Sequence, residues 1–91
     1  MTGGHPKLLL VEDEPSARHA LAELLRGEYE VLDVASAEAA EVELPRFSPD
    51  IVLTDLRLPG ASGLAVVRQA RALIPECIVL VMTAHSSIEI A

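Results

Sequence analysis

Lys7-Leu8-Leu9-Leu10-Val11-Glu12-Asp13-Glu14 is the stretch on which the fold of this 91-residue chain turns. Four consecutive aliphatic residues with no polar alternation read as a strand buried on both faces, the appearance of strands in parallel sheets. The run then stops abruptly at three acids. Working outward, the pattern returns at Ile51-Val52-Leu53-Thr54-Asp55 and at Cys77-Ile78-Val79-Leu80-Val81-Met82. Glu30-Val31-Leu32-Asp33-Val34 is more polar and fits an edge strand.

The segments between these runs have helical spacing. Pro15 suits a first helical position, with Ala17, Leu21, Leu24 and Leu25 on one face and Gly27 as a stop. Ser36 can cap a second helix whose apolar face is Ala37, Ala40 and Leu44, with Pro45 near its end. Ser62 can cap a third, with Leu64, Val67, Ala70 and Ile74 inward and Pro75 closing it. The order β-α-β-α-β-α-β predicts right-handed crossovers and an α/β fold, a three-layer doubly wound parallel sheet, over residues 1–91 as one domain. Ser86-Ser87-Ile88-Glu89 reads as a capping box that opens a further helix. Only Ile90 and Ala91 follow, so the expectation is a fragment of a larger domain.

Composition removes several functions. Fourteen acidic against seven basic residues give a net charge of −7, and no basic stripe exists to neutralise phosphates, so direct nucleic-acid binding is not expected. Anionic membrane lacks its Lys and Arg cluster too, and no apolar run is long enough to span a bilayer. A single cysteine, Cys77, cannot form an internal disulfide, and the N-terminus carries no signal-peptide pattern. The expectation is a cytoplasmic protein.

Ligands of doubly wound sheets bind beyond the carboxyl ends of the strands. Glu12, Asp13 and Glu14 follow the first run, Asp55 ends the third, and Thr83, Ala84 and His85 follow the fourth. If the first, third and fourth strands are neighbours, Glu12, Asp13, Asp55 and Thr83 converge. Carboxylates in one crevice raise each other's pKa or hold a cation between them. Hard oxygen donors suit Mg²⁺, and an aspartate beside it can attack phosphorus and form an acyl phosphate. A neighbouring hydroxyl such as that of Thr83 can donate to a phosphoryl oxygen.

These residues are similar to the receiver domain of two-component response regulators. The matching pieces are Leu10-Val11-Glu12-Asp13-Glu14, Asp55-Leu56-Arg57-Leu58-Pro59-Gly60-Ala61-Ser62-Gly63 and Val81-Met82-Thr83-Ala84. The resemblance runs from Lys7 onward and implies a flavodoxin-like sheet that lacks the fifth strand and the fifth helix. It implies Asp55 as phosphoacceptor, and Glu12, Asp13, Asp55 and the backbone carbonyl of Arg57 as ligands of Mg²⁺. Thr83 would be the switch hydroxyl, and the backbone N–H of Ala84 would face the phosphoryl group. Pro59, Gly60 and Gly63 would shape the loop after the third strand. The partners implied are a sensor histidine kinase and an output domain. The Leu58–Gly63 and Met82–Glu89 runs resemble nitrogen-regulatory, enhancer-binding activators, which makes that output transcriptional. The chain would not be an enzyme with external turnover; it would assist its own phosphorylation and dephosphorylation.

Two departures shape further expectations. The family's fifth-strand lysine and aromatic switch residue have no counterpart, since the one lysine, Lys7, precedes the first strand. The fourth strand is then a bare apolar edge, which predicts a dimer or swapped oligomer. The alternative function is accordingly an interaction module of the same fold without phosphorylation. A nucleotide- or flavin-binding protein would need a Gly- or Ser/Thr-rich loop where Glu12-Asp13-Glu14 stands. A Mg²⁺-dependent phosphatase would want a second acid two residues after Asp55, and that position is Arg57. The side chain of Arg57 has two readings, a modulator of water access and a plain exposed arginine. Glu14 is read as a solvated acid near a helix start, and His5, His19 and His85 show no metal-ligand spacing.

Overall fold

The chain is described by a computed structural model over residues 4–60, 62–83 and 88–91. The elements in order are β1 (Lys7–Val11), α1 (Pro15–Leu25), β2 (Glu30–Val34), α2 (Ala37–Phe47), β3 (Ile51–Asp55), α3 (Gly63–Leu73), β4 (Ile78–Met82) and β5 (Ile88–Ile90). Each helix starts on a side-chain cap. The Glu14 carboxylate accepts from the Ala17 N–H at 2.7 Å, and the hydroxyls of Ser36 and Ser62 accept from Ala39 and Leu64, both at 3.0 Å. These bonds satisfy amides that the first helical turn leaves unpaired.

The sheet order is β2-β1-β3-β4-β5, with β1 to β4 mutually parallel. The chain leaves β1 outward to β2, returns across it to β3 and continues to β4. Crossovers of one hand in opposite directions place α1 on one face and α2 and α3 on the other. Period-2 alternation along the strands separates two cores. Leu9, Val11, Val52 and Val79 meet Ala37, Ala40, Leu44, Val66 and Ala70 on the α2/α3 face. Leu8, Leu10 and Leu53 meet Ala22 of α1 on the other, flanked by the half-buried Leu21, Leu25, Leu80 and Met82. The three layers and the polar edge strand β2 match the expectation.

Three expectations are corrected. Leu24 and Leu64 point outward, 78 % and 47 % exposed, whereas Ala22 and Val66 are buried. Small residues at the contact let each helix approach the sheet closely, which rotates the larger neighbours away from it. The second correction concerns residues 88–90, which form a strand and not the start of a helix. Ser86 and Ser87, the cap of that expected helix, lie outside the described residues. One helical turn has a costly nucleus and little to propagate, while the edge of β4 offers unpaired backbone groups. The third follows from it: β4 is not a bare edge, because β5 pairs antiparallel with it at Leu80↔Ile90, Val81↔Glu89 and Met82↔Ile88. A short fifth strand therefore exists, with the opposite direction to the other four. No helix among the described residues is long and apolar enough to cross a membrane.

Candidate functional site

Parallel strands end on the same side, so register decides which chain exits meet. Val11 pairs with Thr54, which sets Glu12 level with Asp55, and Asp55 pairs with Met82, one residue before Thr83. This is the switch point of the sheet, where successive connections leave in opposite directions. One carboxylate oxygen from each of Glu12, Asp13 and Asp55 lies within 4.8 Å of the others. Glu12, Asp55 and Thr83 line a cleft of about 350 Å³ together with Ala17, Leu21, Met82 and Ile88.

Glu12 is the constrained member, 7 % exposed. Its Oε2 accepts from the Glu14 N–H at 3.0 Å and its own N–H donates to the Val34 carbonyl at 3.1 Å. Burial pushes its pKa up; the bond from Glu14 opposes this, and the charges of Asp55 and Asp13 add to the rise. A shared proton between Glu12 and Asp55 is one way to relieve the repulsion. A divalent cation with hard-oxygen preference is the other, and three convergent carboxylates are a fitting donor set for Mg²⁺.

Asp55 is half-buried at the end of β3, and its Oδ1 accepts from the Arg57 N–H at 3.3 Å. The loop behind it is closed by an antiparallel bridge between Arg57 and Ser62 and by the Gly63 N–H donating to the Leu56 carbonyl at 2.9 Å. Gly60 has a φ of 76°, the left-handed region that favours glycine. A Cβ on Gly63 would fall onto the carbonyl oxygen of Asp55 and reach 2.9 Å from the Leu56 Cα. Pro59, Gly60 and Gly63 thus belong to the turn that aims the carboxylate. The Arg57 side chain is exposed. Ala84 and His85 lie outside the described residues.

Lys7 stands at the opposite end of β1, its Nζ donating to the Phe47 carbonyl at 3.3 Å and lying 5.5 Å from the ring centroid of Phe47. It does not serve the acidic cleft. Two roles escaped the sequence reading. Glu14 caps α1 instead of standing free in solvent. Arg18 donates to the carbonyls of Glu12 and Asp13, at 3.0 and 3.5 Å. An arginine on a helix carries no spacing signal for a bond of this kind.

Comparison with known proteins follows the same lines. The response regulator receiver domain family matches residues 8–91. A cyclic di-GMP phosphodiesterase of Thermotoga maritima is 38 % identical over 84 residues, 91 % of this chain and 22 % of its own length. The sensory transduction protein RegX3 of Mycobacterium bovis is 43 % identical over 83 residues, 90 % of this chain and 37 % of its own. The chain therefore spans about a fifth to two fifths of these relatives. A response regulator receiver domain (CheY-like) from Methylobacillus flagellatus superposes with a TM-score of 0.80 at 30 % identity, over 88 % of this chain and 70 % of that one.

Proposed function

The chain belongs to the response regulator receiver domain family, and from that membership we propose that it is a phosphoryl-accepting switch in a two-component relay, with Asp55 as the acceptor. The observation that carries the proposal is the convergence of Glu12, Asp13 and Asp55 oxygens beside Thr83 at the ends of β1, β3 and β4. A carboxylate oxygen of Asp55 attacks the phosphorus of a phosphohistidine on a sensor kinase. The P–N bond breaks as the O–P bond forms, leaving an acyl phosphate on Asp55 and a free imidazole on the kinase. The Arg57 N–H holds Oδ1 and so fixes the direction from which the carboxylate attacks. Glu12, Asp13 and Asp55, with the Arg57 carbonyl completing the set, would hold Mg²⁺. Bound there, the ion would offset the negative charge of the carboxylates and of the transferring group. Thr83 then donates its hydroxyl to a phosphoryl oxygen. No external substrate is turned over.

Phosphorylation biases a two-state surface around β4 and the segment after it, where an output domain binds. The relatives above carry different names, so the output is not fixed by the receiver. A transcriptional output rests on the resemblance of the Leu58–Gly63 and Met82–Glu89 runs to enhancer-binding activators. A second reading, self-association without phosphoryl transfer, is favoured by Ile78, Ile88 and Ile90, which are 52 %, 56 % and 79 % exposed along β4 and β5.

The acceptor is identified by chemical trapping. After incubation with phosphoramidate, a small P–N donor, and Mg²⁺, borohydride reduces an acyl phosphate on aspartate to homoserine. Peptide mapping is expected to find homoserine at position 55. Homoserine at position 13, or none at all, contradicts the assignment.

A further inference from the structure

We propose that Arg18, held by Asp33, is the positioning residue of the acidic cleft: it fixes the backbone that carries Glu12 and Asp13 while leaving their carboxylates open to a cation. The inference rests on the reading of Glu12, Asp13 and Asp55 as a Mg²⁺ site and deepens it. Arg18 lies in the first turn of α1. Its Nη1 donates to the carbonyl of Glu12 at 3.0 Å and to that of Asp13 at 3.5 Å. Its Nε is 3.3 Å from Oδ2 of Asp33 on β2. Asp33 is one residue before Val34, whose carbonyl accepts the Glu12 N–H at 3.1 Å. Both backbone polar groups of Glu12 are thereby tied down, one directly to β2 and one to α1 through a guanidinium that β2 anchors.

The choice of acceptor is the informative point. A guanidinium this close to three acids would be expected to pair with a carboxylate in the bidentate manner. It spends its Nη1 donors on carbonyls instead, and its Nε on an acid outside the trio. Asp33 thus has two functions. It neutralises Arg18, and it keeps the guanidinium from swinging into the cleft, where it would compete with a cation for the same oxygens. Arg26 provides an internal comparison. It also binds Asp33, through Nη2 at 3.2 Å, and Glu23 at 3.1 Å, and no bond joins it to the loop of Glu12 and Asp13. Losing Arg26 removes an ion pair of the same acid without releasing the loop. A lysine at position 18 keeps the charge and loses the fork that reaches both anchor and carbonyls.

The test is Mg²⁺ affinity by calorimetric titration of the full chain, with thermal melting in chelator as the second readout. Partners that orient metal ligands are worth 10- to 100-fold in affinity. Arg18→Ala and Asp33→Ala are expected to weaken Mg²⁺ binding by about tenfold or more. Arg26→Ala is expected to bind as the parent chain does. Arg18→Lys is expected to melt within a few degrees of the parent and still bind weakly, which separates positioning from folding should Arg18→Ala not fold. Parent-like affinity in Arg18→Lys, or an equal loss in Arg26→Ala, overturns the proposal. A parent chain that binds no Mg²⁺ overturns it together with the reading of the trio, and is told apart by being independent of Arg18.

Discussion

At Glu12 the demands of folding and of function oppose each other. The side chain is buried beside two other acids, which favours its protonated form. A carboxyl whose folded pKa lies above its unfolded value stabilises the fold fully at pH below the unfolded value, and loses that contribution as pH rises through the folded one. In chelator, the stability of the parent chain relative to Glu12→Gln is therefore expected to fall from about pH 4 towards neutrality. Thermal melts of both proteins across that range check it; parallel curves contradict it. Glu12, Asp13 and Asp55 were legible in the sequence because each stands where an apolar run stops. The work of Arg18 was not legible. Its partners are two carbonyls five and six residues back and an acid on another strand, none of which a helical period marks.

Among the elements, the turn from β3 into α3 carries the sharpest local demand. Gly63 packs where a Cβ would meet the Asp55 carbonyl oxygen and the Leu56 Cα. Gly63→Ala must shift backbone that holds the acceptor and is expected to cost about 2 kcal/mol or more, on the scale of overpacked sites. The adjacent Ser62→Ala loses one cap bond and is expected to cost about 1 kcal/mol. Urea unfolding of the two variants checks the ranking. The helices supply a second contrast. Leu9→Ala, in the closed α2/α3 core, is expected to cost about 2–5 kcal/mol, and Leu24→Ala, on the outer face of α1, less than about 0.5 kcal/mol. Equal costs would return Leu24 to the core face that its spacing suggested. Spacing located α1, α2 and α3 and placed Ala70 inward, but it missed Ala22, Gly63 and Val66, the first two because they matter by being small. The Ile88–Ile90 strand was misread for a different reason. Its capping pattern is a local signal, and the pairing that overrides it is made with β4.

For the molecule as a whole, the two faces of the sheet are unequal. The α2/α3 side is closed over Val52 and Val79, whereas Ile78, Leu80, Met82, Ile88 and Ile90 line up on the α1 side at the β4–β5 end. Association through that side is opposed by a net charge of −7, so added salt is expected to strengthen it. Sedimentation velocity at low and high salt, with Ile88→Lys and Ile90→Lys lowering the sedimentation coefficient, checks this; insensitivity to both substitutions contradicts it. The layered sheet and the common end of its strands were legible in the alternation of apolar runs and helical spacing, and they bring the acids together. The central claim is that this meeting point accepts a phosphoryl group. Its most direct test is the intact mass of the chain after incubation with acetyl phosphate and Mg²⁺, beside Asp55→Asn and a chelated sample. One added phosphoryl group is expected in the Mg²⁺ sample alone. An adduct that persists in Asp55→Asn or in chelator, or no adduct in a chain that binds Mg²⁺, would contradict it.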